Sequence, residues 1–143
     1  MTVVAKIQAL LGGEDVTGPL RTDLDLVRLV RRGVPTQALD HFLTVSHLTF
    51  GAIEHHVLAR RTFKRRQDAA QPLDPIESDR LMRLVRLVAA ADETFGDPQK
   101  AMAWLGRENR ALDGQTPLSL ADTDLGARSV EILLGRIGHG LAA

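Results

Sequence analysis

The residues of this chain best suited to chemistry are a block of positive charge at positions 59–66. Five of these eight residues are Arg or Lys and none is acidic. On a helix, Phe63 would face the protein while Arg61 and Arg65 point the opposite way, with Lys64 beside them. Solvated helix faces usually mix charges to gain i,i+4 pairs, so this block favours contact with DNA phosphates. The predicted DNA-contacting residues are Arg60, Arg61, Thr62, Lys64, Arg65 and Arg66.

The balanced charge of the whole chain gives weight to this local block of basic residues. The chain has 18 basic and 18 acidic residues, so attraction to a polyanion must come from a local patch. Its 143 residues suffice for one domain or two small helical lobes. With four Phe, one Trp and no Tyr, Leu, Val and Ala must fill the interior, which favours packed helices.

The same composition indicates a cytoplasmic protein. There is no cysteine, which excludes disulfides and thiolate metal sites and fits a reducing compartment. No apolar run approaches a membrane span, and the first residues carry no export signature.

Apolar spacing predicts an all-α fold, because no segment alternates at period two for long. Leu24, Val27, Leu29 and Val30 mark the face of one helix, and residues Gly13 to Pro19 are predicted to form a polar loop. The predicted helices are Val3 to Leu11, Asp23 to Arg32, one from near Pro35, Thr49 to about Val57, the basic helix, about Asp74 to Thr94, one from Pro98, and one from about Asp124 to the end.

Two of these helices are short and joined tightly at Leu58-Ala59, and the second one is basic. This is the helix-turn-helix arrangement. Its small core is predicted to contain Ile53, Val57, Leu58 and Phe63. A polar joint follows at residues 68–72, and we therefore predict domains at residues 1–70 and 71–143.

The clearest helix start is Asp74-Pro75-Ile76-Glu77, which has the features of a capping box. The helix that follows has a wide apolar stripe. A stripe of this width implies burial against more than one neighbour, either within the chain or across a dimer.

The last helix has a coherent buried stripe at Val130, Leu133, Leu134, Ile137 and Leu141. The same span contains Gly135, Gly138 and Gly140, and each Gly within a helix costs about 1 kcal/mol relative to Ala. This indicates either a fraying terminus or a low-profile tail that approaches another protein closely. Periodicity alone favours fraying.

Catalytic chemistry is not indicated. The adjacent His55 and His56 would point about 100° apart on a helix and cannot share a metal comfortably. No phosphate loop, zinc-protease motif or nucleophile elbow occurs. The sequence therefore predicts no enzyme, metal or cofactor.

The order of segments resembles the Xre/MbcA/ParS antitoxin family over roughly Val34 to Leu141. The residues that carry the resemblance are Arg61-Thr62-Phe63-Lys64-Arg65-Arg66, Glu77-Ser78-Asp79-Arg80-Leu81, Phe95-Gly96, Ala103-Trp104-Leu105, Thr116-Pro117-Leu118, Gly126, and Leu134-Gly135-Arg136-Ile137 with Gly140. Phe63 stands where such antitoxins often have Leu. The residues before Val34 carry no motif that we can assign.

The resemblance implies an Xre-like helix-turn-helix unit followed by a helical toxin-binding domain. The usual partner is a RES-domain toxin that consumes NAD⁺, and the antitoxin's last helix and tail lie over the toxin's active-site cleft. Such antitoxins commonly dimerise, and the complex binds operator DNA to repress its own operon. The residues that this implies for toxin contact are Gly135, Arg136, His139, Gly140 and Leu141.

Two other hypotheses remain open from the sequence. One is a plain helix-turn-helix regulator whose C-terminal half serves for dimerisation or ligand binding. The other is a toxin-binding module whose DNA-binding half has lost its function.

Overall fold

A computed structural model describes residues Thr2 to Gly140 of the chain. In this range the protein is helical and has no strand, which confirms the predicted all-α class. Two 3₁₀ helices, Arg110–Leu112 and Leu118–Asp122, precede the last α-helix. The α-helices are α1 Val3–Leu10, α2 Glu14–Thr17, α3 Asp23–Arg32, α4 Thr36–Ser46, α5 Phe50–Ile53, α6 Arg60–Asp68, α7 Pro75–Phe95, α8 Pro98–Leu105 and α9 Asp124–Gly138.

The chain divides into two compact units within α7, one ending at Val85 and the other beginning at Arg86. The sequence placed the boundary after residue 70, which lies inside the first unit. The reason is that the start of α7 is bonded to the loop after α3. The hydroxyl of Ser78 accepts a hydrogen bond from the N–H of Val34 at 2.8 Å, and the N–H of Leu73 donates to the Val34 carbonyl at 2.9 Å.

The first unit is built around α4. Helices α1, α2 and α6 each pack against it. Phe42 of α4 is fully buried, and the short α2 lies where the sequence predicted only a polar loop. The core of this unit contains Ile7, Leu11, Leu29, Val34, Leu39, Phe42, Ile53, Val57, Phe63, Leu73 and Leu81.

Helix α3 has the predicted bounds, but only part of its predicted apolar face is buried. Leu26 and Leu29 are buried, whereas Leu24 is 63% exposed and Val27 is 39% exposed. Apolar residues lie on more than one side of this helix. Spacing alone therefore could not identify the stripe that packs.

A capping box fixes the start of α3. The Thr22 hydroxyl accepts from the N–H of Asp25, and the Asp25 carboxylate accepts from the N–H of Thr22. Hydrogen bonds from the backbone of Arg21 and Thr22 lower the pKa of Asp25. The charged carboxylate is therefore part of the cap.

The second unit packs α9 against the two 3₁₀ helices. Asp97 caps α8, and the Thr123 hydroxyl caps α9 by accepting from the N–H of Gly126 at 2.9 Å. Both helices begin where the sequence predicted, at Pro98 and Asp124. The core of this unit contains Leu87, Val88, Ala91, Ala101, Trp104, Leu105, Leu112, Ala127, Val130, Leu133 and Leu134.

None of the helices in the described part of the chain combines the length and apolarity needed to cross a lipid bilayer.

Candidate functional site

The basic helix α6 is anchored to the first unit by one aromatic side chain. Phe63 is only 6% exposed, and its ring lies 5.4 Å from that of Phe50 in α5. Ile53, Val57 and Leu58 are also buried, so the predicted core between the two helices is confirmed. Helix α5 ends at Ile53, one turn earlier than predicted, and a turn occupies the next residues.

The N-terminus of α6 has an unusual cap. The methyl side chain of Ala59 has no hydrogen-bond acceptor, and the Glu54 carboxylate instead accepts from the N–H of Arg60 at 3.1 Å. The Arg60 guanidinium lies over the Phe50 ring, 4.8 Å from its centroid. Arg60 is exposed but leans along the protein surface, and Thr62 is half-buried. The beginning of α6 is thus held by a carboxylate and a cation–π contact.

Three cations of α6 face away from the core. Arg61, Lys64 and Arg65 are exposed and line one shallow depression on the surface. Lys64 lies 3.7 Å from Asp68, but both side chains are largely solvated, so this pair is weak. Arg61 and Arg65 form no ion pair within residues 2–140. The outward triad, Arg61, Lys64 and Arg65, therefore presents a concentrated positive charge to solvent.

Arg66 is placed differently from its neighbours. Its Nε lies 3.0 Å from Glu77 Oε1, and its Nη2 lies 3.4 Å from Asp74 Oδ2. The hydrogen bond to Glu77 is the main factor that raises the pKa of Arg66. The side chain is only 20% exposed. The sequence predicted a DNA contact for Arg66, as it did for Arg65, because the partners of this guanidinium lie at the start of α7 and are not evident from α6 alone.

The outer face of α9 consists of Leu125, Arg128, Ile132, Arg136 and His139, which lie on one side at 3.6-residue spacing and are all exposed. Leu125 is 75% exposed and Ile132 is 54% exposed. In the described part of the second unit, these two are the exposed large apolar side chains. The face has two arginines and no carboxylate. The sequence analysis did not predict either apolar residue. Leu125 and Ile132 are seven residues apart, or about two helical turns, and this spacing places both on one side of α9, away from the buried stripe.

Glu131 does not belong to the outer face of α9. It is half-buried and lies 3.7 Å from Arg86 within the second unit. The buried stripe of α9 matches the prediction at Val130, Leu133 and Leu134.

The predicted contact residues at the end of α9 lie at the surface. Gly135 is within the helix, and a Cβ there would meet no atom within 4 Å, so the fold of this chain does not require glycine at this position. Arg136 is exposed, and Nδ1 of His139 lies 2.6 Å from the Gly135 carbonyl. Leu141 lies outside the described residues.

Gly140 was predicted to lie within the helix and in fact follows its end. Its φ is 73°, the left-handed conformation that commonly terminates helices. Only Gly135 and Gly138 of the three glycines therefore lower the stability of α9 itself.

The described residues offer no site for metal chemistry. From Thr2 to Gly140, no group of three His, Asp or Glu side chains is placed to hold a metal ion. The candidate functional surfaces are one basic helix and one mixed apolar and basic face.

These features define an all-helical protein with a helix-turn-helix unit and a second helical domain. Two family models match it. The antitoxin Xre-like helix-turn-helix domain matches residues 25–86, and the antitoxin Xre/MbcA/ParS C-terminal toxin-binding domain matches residues 90–140.

Three relatives are each named Antitoxin Xre. The protein from Photorhabdus laumondii is 34% identical over 119 residues, covering 80% of this chain and 79% of the relative. The protein from Pseudomonas putida is 33% identical over 115 residues, covering 80% of this chain and 64% of the relative. The protein from Yersinia enterocolitica is 38% identical over 82 residues, covering 57% of this chain and 55% of the relative.

The chain therefore belongs to the Xre antitoxin family, with a helix-turn-helix domain followed by a toxin-binding domain.

Proposed function

We propose that this chain is the antitoxin of a type II toxin–antitoxin pair. In this proposal the outer face and end of α9 cover the active site of a RES-domain toxin that degrades NAD⁺. Helix α6 binds operator DNA and thereby represses the operon. The resemblance further suggests a cytoplasmic homodimer within the toxin complex. Inhibition is steric, so the antitoxin needs no catalytic residue or cofactor.

The observation that carries the toxin-binding half is the exposed outer face of α9. It lies inside the region that matches the toxin-binding domain. Leu125 and Ile132 supply apolar surface that water solvates poorly. Arg128 and Arg136 add positive charge, which suits a toxin surface with carboxylates or a pocket that accepts phosphate groups. Gly135 leaves room for the toxin backbone to approach α9 closely.

The DNA-binding half is supported by the outward triad of α6. Arg61, Lys64 and Arg65 can neutralise phosphates while Phe63 holds the helix against the protein. Each phosphate contact releases counterions, so log affinity should fall against log salt with a slope of about −0.9 per contact. Replacing Lys64 and Arg65 by Ala should weaken promoter binding and flatten this slope by about 1.8. An unchanged slope would reject their role.

A truncation tests the toxin-binding half. We expect a chain without residues 138–143 to keep its fold and its promoter affinity, because the buried stripe of α9 lies before Gly138. It should lose the ability to neutralise the product of the neighbouring gene in a co-expression assay. Full protection by the truncated chain would contradict the tail mechanism. Failure of the full chain to bind that product would favour the plain regulator.

A further inference from the structure

Arg66 is the one cation of the α6 block that turns toward the protein interior. Its Nε lies 3.0 Å from Glu77 Oε1, and its Nη2 lies 3.3 Å from Glu77 Oε2. The same Nη2 lies 3.4 Å from Asp74 Oδ2. Because the side chains of Arg66 and Glu77 are only 20% and 11% exposed, water competes weakly for this contact.

The carboxylate that receives Arg66 is itself held in place. Glu77 Oε1 accepts the N–H of Asp74 at 2.9 Å, and Asp74 Oδ1 accepts the N–H of Glu77 at 2.7 Å. This capping box fixes both acidic side chains at the start of α7. They therefore form a rigid point to which the end of α6 is attached.

Contacts on both sides of Phe63 restrict rotation of α6 about its axis. Arg66 lies about 60° to one side of Phe63 and is held by Glu77. Gln67 lies about 40° to the other side, and its Nε2 donates to Asp40 of α4 at 2.8 Å. These two contacts lie on opposite sides of the buried Phe63, so together they oppose rotation of the helix in either direction.

We propose that Arg66 is a positioning residue, whose bond to Glu77 and Asp74 orients α6 so that Arg61, Lys64 and Arg65 meet the DNA. Arg66 itself binds no phosphate. This inference rests on the proposed DNA-binding function. It departs from the sequence pattern, which gave Arg66 the same role as Arg65.

The substitution Glu77→Gln separates the two roles because they predict opposite results. If Arg66 positions α6, loss of the carboxylate charge weakens the attachment and lowers DNA affinity. If Arg66 is a phosphate ligand that Glu77 restrains, the same change frees it, so affinity rises and the salt slope steepens by about 0.9.

The experiment measures fluorescence anisotropy of a labelled duplex containing the promoter upstream of this gene, over a range of salt concentrations. The full-length variants are Glu77→Gln, Arg66→Met and Arg66→Lys, with Arg65→Met and Arg61→Met as the phosphate-contact controls. Circular dichroism at the assay temperature gives the folded fraction, and affinities are corrected for it. A role in stability alone would then leave the corrected affinity unchanged.

We expect Glu77→Gln and Arg66→Met each to lower the corrected affinity roughly tenfold, or about 1.4 kcal/mol, at an unchanged salt slope. Arg66→Lys keeps one charged contact and should recover part of the loss. Arg65→Met should flatten the slope by about 0.9. Flattening by Arg66→Met, a gain of affinity in Glu77→Gln, or unchanged corrected affinities would each overturn the positioning role.

The control distinguishes this inference from the function on which it rests. If Arg65→Met and Arg61→Met leave affinity and slope unchanged, the proposed DNA-binding function itself fails. If these two variants behave as expected and only the Arg66 and Glu77 variants do not, the DNA-binding function stands and the positioning role fails.

Discussion

Removing the apolar side chains of the outer face of α9 should weaken toxin binding without harming the fold. The variant is Leu125→Ala combined with Ile132→Ala. These side chains are 75% and 54% exposed, so they contribute little to the core of this chain. Ala also has the highest helix propensity, so α9 itself should be retained. We expect a change in unfolding free energy within about 0.5 kcal/mol.

The loss of affinity follows from the area that the toxin would cover. Full burial of a Leu or Ile side chain is worth about 2 kcal/mol, and the exposed fractions set how much remains to be gained on binding. After allowing for the Cβ that Ala retains, the double variant loses about 2 kcal/mol of binding free energy. This corresponds to a roughly 30-fold higher Kd.

Calorimetric titration against an inactive form of the neighbouring gene's product measures this Kd. The matched control is Ile76→Ala, since Ile76 is 64% exposed on α7 and lies outside the region that matches the toxin-binding domain. The control should bind like the unmodified chain. A Kd for the double variant within twofold of the unmodified value would refute the assignment of the outer face.

Three further predictions concern the fold that supports these surfaces. Gly33→Ala should destabilise the protein by about 3 kcal/mol in denaturant unfolding, because φ is +97° and the new Cβ would clash with the Leu73 carbonyl oxygen. Gly13→Ala, with φ +90° and open space around the new Cβ, should cost about 1 kcal/mol, and equal losses in the two variants would exclude the clash. His56→Phe should raise Tm, because both ring nitrogens are buried without a hydrogen-bond partner in the described structure, and a lower Tm would reject this reason. Asp25→Asn should lower the free energy of unfolding at neutral pH. Because the folded-state pKa of Asp25 lies below its ordinary value of 3.8, the difference in unfolding free energy from the unmodified protein should close as the pH falls below that value. A difference that does not depend on pH would contradict the charged cap.

Local features were the most predictable part of this fold. The caps at Asp97 and Thr123, and the capping box at Asp74 and Glu77, depend on residues within four positions of each other. Such contacts form in the same way whatever the rest of the chain does. The sequence therefore located helix starts more reliably than it located buried faces.

The features that the sequence did not predict correctly depend on contacts between helices. Arg66 has its partners eight and eleven residues away at the start of α7, so the sequence of α6 alone could not separate its role from that of the DNA-contacting cations. Leu24 and Val27 were placed on the buried face of α3 because several stripes of that helix are apolar. In both cases the neighbouring helix decides which side packs.

The proposed sites were predictable to different degrees. The outward triad follows from the position of Phe63 within one short helix, and the structure exposes those same cations. On α9 the predicted contact residues are glycines and their neighbours near the chain end, and Leu125 and Ile132 are not among them. An exposed apolar residue becomes informative only when the buried side of its helix is known.

The proposed function requires that toxin and DNA use separate surfaces of this chain. Hydrogen–deuterium exchange of the full-length protein, with and without the neighbouring gene's product, tests it most directly. We expect added protection in α9 and at the chain end, with α6 exchanging as in the free protein. Protection of α6 together with unchanged exchange in α9 would contradict the claim.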